Sequence, residues 1–154
     1  MITDAIRDKM KLIEALTKDL GDGIDPADYY VEDMGCPHRP PRTLPKGYAA
    51  IYVFAYGSDT EYTILKIGKA NAKSRARFVS HHYGFHARST LAKSLCRDDT
   101  FIALGVTESN VKVWMQQNLR RINVYLKTDC GKAATELTES VFHYAFRPKY
   151  EGNI

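Results

Sequence analysis

Tyr52, Lys66, Gly68, Arg77, His81 and Glu139 stand in one order along this 154-residue chain. Together they hold what hydrolysis of a phosphodiester needs: a base to activate water, positive charge for the pentavalent transition state, and a group to stabilise the leaving oxygen. A phenol of pKa ~10 is a poor base unless a neighbouring ammonium favours its phenolate, which makes Lys66 the expected partner of Tyr52. Arg77 is permanently charged and can fork two donors onto phosphate oxygens, and His81, one helical turn later, shares its face. Glu139 offers a hard carboxylate for one Mg²⁺ or Mn²⁺, since such an ion keeps most of its waters and takes one or two protein ligands. Singly these residues are ordinary: Tyr52 is one of ten tyrosines, and arginines on helices are mostly solvated. Order and spacing carry the reading.

The elements that must position these side chains follow from periodicity. Residues 47–56 (GYAAIYVFAY) and 62–68 (YTILKIG) are rich in aromatic and β-branched residues and flank Gly57–Glu61, which reads as a five-residue hairpin loop. Pairing Tyr56 with Tyr62 puts Tyr52 opposite Lys66. Strand alternation then assigns Tyr52, Phe54, Tyr56, Tyr62, Ile64 and Lys66 to a partly wet face, and Ile51, Val53, Ala55, Leu65 and Ile67 to the core. A helix is expected near 74–82, another from Ser89 or Thr90 through Arg97, a strand over 101–106, a helix over 109–121 holding Val113, Trp114 and Leu119, a strand over 123–127 and a last helix over 133–146. Ahead of these, Thr3 can cap a helix with Ile6, Met10, Ile13, Leu16 and Leu20 at steps of three and four. Residues 25–45 carry five of the six prolines and read as an extended connector. The organisation expected is a helix and connector over 1–46 and one catalytic domain over 47–154.

Composition narrows the partner. Residues 1–34 hold 4 Lys/Arg against 9 Asp/Glu, and residues 35–154 hold 18 against 9, so a formal net charge of +4 hides a strongly basic body. Such a body suits a polyanion, because neutralising phosphates releases counterions. The acidic N-terminal helix is expected to cover part of it or to form a homodimer contact. Apolar runs fall far short of the ~20 residues that span a bilayer and no secretory signal opens the chain, giving an expected cytoplasmic location. Cys36, Cys96 and Cys130 are odd in number and lack a CxxC pair, which argues against a disulfide framework or zinc knuckle. His81 and His82 cannot share a metal, since adjacent side chains diverge on a helix. Neither GxxxxGK[ST] nor GxSxG occurs, so neither nucleotide hydrolysis nor serine esterase chemistry is indicated.

Ala50-Ile-Tyr52 and Lys66-Ile-Gly68, followed by the Arg75/Arg77 segment and by Leu137-Thr-Glu139 with Pro148, Tyr150 and Asn153, resemble the GIY-YIG nucleases, in the branch whose second signature reads KIG. The resemblance covers about residues 47–153 and departs at Ala50 and Lys66. It implies an α+β fold with a small mixed or antiparallel sheet of about three strands flanked by helices, and a DNA endonuclease in which Tyr52 is the general base. Lys66 would tune the attacking water, Arg77 and His81 would grip the scissile phosphate, Glu139 would hold the metal and Asn153 would order the site's edge. Lys69, Arg75, Arg88 and Lys93 are the further expected DNA contacts, with Arg97 and Lys112. The chain ends just past Asn153, so no separate DNA-reading domain is expected, and cutting both strands would require a dimer or sequential nicks.

Overall fold

Residues 48–57 and 62–70 are short apolar and aromatic runs buried on both faces, amphipathic helices flank them, and the computed structural model, which describes residues 1–151, is accordingly α+β. Four antiparallel strands form one sheet: β1 (Tyr29–Gly35), β2 (Tyr48–Gly57), β3 (Tyr62–Ala70) and β4 (Leu119–Lys127), in the order β1-β4-β2-β3. The fourth strand, β1, comes from the proline-rich segment, where alternation is too weak to announce it; Tyr30 stacks on Tyr125 and the strand pairs with β4 from Tyr29 to Gly35. Helices cover both faces of the sheet. The N-terminal α1 (Ile2–Leu20) and C-terminal α6 (Lys132–Phe146) cover the face of Ile51, Val53 and Ile122. The short α2 (Arg75–Val79), α3 (Leu91–Arg97), α4 (Asp99–Ala103) and α5 (Val111–Asn118) cover the face of Tyr52, Phe54 and Leu119.

The expected register of β2 and β3 is displaced. Gly57, with φ +120°, stays in the ladder opposite Tyr62, because a Cβ there would meet the Glu61 carbonyl oxygen at 2.4 Å. The turn is therefore Ser58–Glu61, closed by the Ser58 amide donating to the Glu61 carbonyl at 2.9 Å. A bulge follows, leaving Leu65 unpaired between Ile64, opposite Ala55, and Lys66, opposite Phe54. Tyr52 faces Gly68 instead of Lys66. The bulge also moves Tyr62 and Ile64 to the face of Ile51 and brings Leu65 to the face of Tyr52. The latter face is buried, not wet: Tyr52 and Phe54 are 1% and 0% exposed.

Three other expectations are corrected. Residues 99–103 are helical rather than a strand, because the Asp98 carboxylate caps the Thr100 amide at 2.9 Å and Phe101 turns into the core. Helix α5 ends at Asn118, and Leu119–Arg121 enter β4. Thr3 does not cap α1; its hydroxyl donates to Asp33 Oδ2 at 2.7 Å, tying the helix to β1. No helix of the described residues is long and apolar enough to cross a membrane.

Candidate active site

The site forms where α2 and α6, lying on opposite faces of the sheet, both pack on the edge strand β3. Gly68 makes this possible. A Cβ built on it would sit 2.3 Å from Tyr52 Oη and 2.4 Å from Cζ, so only glycine lets the Tyr52 ring cross β3 and carry its hydroxyl to the sheet edge. Lys66, opposite Phe54, is the diagonal neighbour of Tyr52 on the same face, a distance a long side chain can span. From α6, Glu139 reaches β3 and accepts from Lys69 Nζ at 3.2 Å. Further along α6, His143 Nε2 donates to the free carbonyl of Ile67 at 3.1 Å.

The charges of Arg77 and Glu139 act on both Tyr52 and Lys66. Burial raises the Tyr52 pKa well above the usual phenol value, with Arg77 and Arg121 opposing that rise and Glu139 adding to it. For Lys66, 7% exposed, burial lowers the pKa, Arg77 lowers it further and Glu139 raises it. Arg77 and His81 line one cavity of about 250 Å³ with His82 and Arg88, although α2 ends at Val79 and His81 stands in the 3₁₀ turn His81–Tyr83. Two further cavities share lining residues with this one. Arg77 is shared with a hollow of about 290 Å³ that includes Lys69 and Lys132. Arg88, Ser89 and Thr90 are shared with another of about 300 Å³ that includes Lys66, Lys93, Arg97 and Tyr150. Basic side chains thus line three neighbouring hollows, two of which include residues of β3.

Of the other expected contacts, Arg75 points out of the cleft to Thr43 Oγ1 at 3.3 Å, and the Lys93 ammonium is held by the Ala87 carbonyl at 2.6 Å. Asn153 lies outside the described residues. The expected direct pairing of Lys66 across from Tyr52 is replaced by His82, a residue sequence reasoning set aside. His82 Nδ1 accepts from the Leu91 amide at 3.2 Å, so the proton of the neutral ring sits on Nε2, which donates to Tyr52 Oη at 2.7 Å. Burial first, then the charges of Lys66, Arg121, Arg77 and His81, push the His82 pKa down to about 3, so the ring is neutral at pH 7. Tyr52 therefore accepts one hydrogen bond and keeps its own hydroxyl proton to give. No sequence signal separated His82 from His81, since the choice depends on where α2 stops.

Arg121, also missed, is 1% exposed and lies under the same group of rings. Its signal, an arginine on the inward face of a largely apolar strand, is masked by Arg120 beside it and by helical spacing that extends over 109–121. Glu139 is the carboxylate whose charge acts on both Tyr52 and Lys66; it is paired with the Lys69 ammonium, and no cluster of three or more potential metal ligands occurs among the described residues, so a divalent ion here would have one protein carboxylate and otherwise water as ligands.

No protein-family profile, curated protein or solved structure matches the chain.

Proposed function

We propose that this protein is a metal-dependent endonuclease of the GIY-YIG type that hydrolyses DNA phosphodiesters. The observation that carries the reading is that Tyr52 from β2 and Lys66 from β3 are diagonal neighbours on one face, and that both feel the charges of Arg77 from α2 and Glu139 from α6, two helices that pack on β3. The phosphate of a strand lying in the cleft would be gripped by Arg77 and His81, and Arg77 would neutralise charge that builds on the non-bridging oxygens. Tyr52 would take the proton of the attacking water as the general base. Its ionisation is opposed by burial and helped by Arg77, Arg121 and the donated His82 Nε2–H, and phosphate binding that expels water strengthens these charges. Lys66 would orient the water or balance the phenolate. A divalent ion on Glu139 would add Lewis-acid stabilisation of the leaving oxygen.

Incubation with supercoiled plasmid and Mg²⁺ or Mn²⁺ tests this. Relaxed or linear product is expected, abolished in Glu139→Ala and reduced about 10²–10⁴-fold in Tyr52→Phe, the range of a lost general base. A second reading is favoured by the 1% exposure of Tyr52, namely a nucleic-acid-binding module on the same fold without chemistry. Binding of duplex DNA with no metal-dependent cleavage in the native chain would establish that module instead.

A further inference from the structure

Arg121 is the largest fully buried side chain of the described residues. It projects from β4 into the layer between the sheet and α2. Its guanidinium donates Nε–H to Asn123 Oδ1 at 3.0 Å, Nη1–H to Tyr83 Oη at 3.2 Å and Nη2–H to the Phe78 carbonyl at 2.6 Å. Aromatic rings surround it, with centroids at 4.7 Å for Phe78, 5.0 Å for Phe54, 5.4 Å for Tyr52 and 5.9 Å for Tyr83. No ion pair to a carboxylate of the described residues is formed. Burying a cation in this way is costly, and an apolar residue of similar bulk would commonly stabilise such a core as well or better. The charge and the fork of donors must therefore be accounted for by something other than packing.

We propose that Arg121 is a positioning residue for phosphodiester cleavage: it locks the Tyr52 ring and the arginine-bearing helix α2 in one frame and keeps a fixed positive charge beneath the phenol. This rests on the nuclease reading above. The link to α2 is direct, because Phe78, whose carbonyl Arg121 holds, follows Arg77 in the chain. The link to the turn after α2 runs through Tyr83, which accepts from Arg121 and donates to His38 Nε2 at 2.7 Å, while His38 Nδ1–H donates to the Leu119 carbonyl at 2.7 Å. Tyr52 is thus faced by His82 from that turn and Arg121 from β4, and feels the charges of Arg77 from α2 and Glu139 from α6, while Lys66 from β3, its diagonal neighbour, acts on His82. Of the cations, Arg121 is the one pinned at three points by hydrogen bonds within the core, and it cannot swing away when substrate enters. Lysine keeps the charge but lacks the planar fork that reaches three separate acceptors.

Arg121→Met and Arg121→Lys test the proposal by plasmid nicking across pH and by ¹⁵N chemical shifts of the histidine rings, with His82 assigned through His82→Gln. Arg121→Met, folded by circular dichroism and cooperative melting, is expected to bind DNA with native affinity but to nick about tenfold more slowly or worse at saturating DNA. The acidic limb of its rate profile is expected to move to higher pH, because the phenolate has lost a supporting charge, and the His82 ring is expected to take up its proton at higher pH than in the native protein. Arg121→Lys should keep both pH behaviours while still losing rate. A folded Arg121→Met with native rate, native pH limb and unmoved His82 titration would overturn the proposal. Should the methionine variant fail to fold, the lysine variant decides, and a fully native rate there would overturn it. A native chain that does not nick at all sinks the nuclease reading, whereas native nicking with an unaffected variant sinks only the role of Arg121.

Discussion

Gly68 and Tyr52 hold each other in place, and a methyl group is enough to separate them. Gly68→Ala would put a Cβ 2.3 Å from the Tyr52 hydroxyl oxygen, and overpacking of this kind costs about 1–3 kcal/mol. The loss should be smaller in a Tyr52→Ala background, as a double-mutant cycle by urea denaturation would show; an equal loss in both backgrounds would place the strain elsewhere. His82 gives a second expectation at this scale. Its folded pKa of about 3 lies below the ~6.5 of an exposed histidine, so below pH ~6.5 the unfolded chain takes up a proton that the folded chain refuses. Stability should fall from about pH 6.5 towards pH 3, by up to about 1.4 kcal/mol per pH unit from this group, and be insensitive to it above that window. His38, buried with a lowered pKa, acts in the same direction. Comparing denaturation at pH 7 and 5 checks this, with His82→Gln expected to be less acid-sensitive than the native chain. That Tyr52 and Gly68 lie together, with the charges of Arg77 and Glu139 reaching them, is legible from motif order, which survives small errors of register. His82 and Arg121 are not legible there, because each matters through three-dimensional contacts that no spacing encodes.

Helix α1 shows what an element-scale reading captured and missed. Its period puts Ile6, Met10, Ile13, Leu16 and Leu20 on one face; the first three are 0%, 0% and 1% exposed against Ile51, Val53 and Val124, whereas Leu16 and Leu20 are exposed, because the last turns of the helix run past the sheet core. Treating the first 46 residues as an extension nevertheless understated them, since α1 completes one core and β1 completes the sheet. The helix covers part of the body over 35–154, packing on α6 and on Ile51, Val53 and Ile122, on the face opposite the Tyr52 layer. Met10→Ala should destabilise the protein by about 2–5 kcal/mol in denaturant unfolding, and removal of residues 1–20 should leave no cooperatively folded body. A truncated chain with a native melting transition would contradict this packing. The missed bulge at Leu65 and the short α4 share a cause: both depend on a local hydrogen bond or cap that outweighs residue propensity.

At the scale of the molecule, the cleft is the feature that joins shape to charge. Lys66, Lys69, Arg77, Arg88, Lys93 and Arg97 line three neighbouring hollows, so part of the net charge of +9 over residues 35–154 is concentrated where the proposed phosphate backbone would lie. DNA affinity should fall steeply with salt. Arg88→Ala and Arg97→Ala should each lower the slope of log K against log salt by about 1, as fluorescence anisotropy would report, and should weaken different sequences equally. Unchanged slopes would place the nucleic acid on another surface. The α+β class and the sheet edge could be read from alternation and motif order, but the cleft's walls are built by the irregular residues 80–90, which carry no periodic pattern.

The most direct measurement is anomalous diffraction from crystals of the native chain soaked with Mn²⁺ and a non-cleavable phosphorothioate oligonucleotide. A manganese peak on the Glu139 carboxylate, with a phosphate held between Arg77 and the Tyr52 hydroxyl, is the expected result. A phosphate backbone seated away from the β3 edge, or manganese bound without Glu139, would contradict the account.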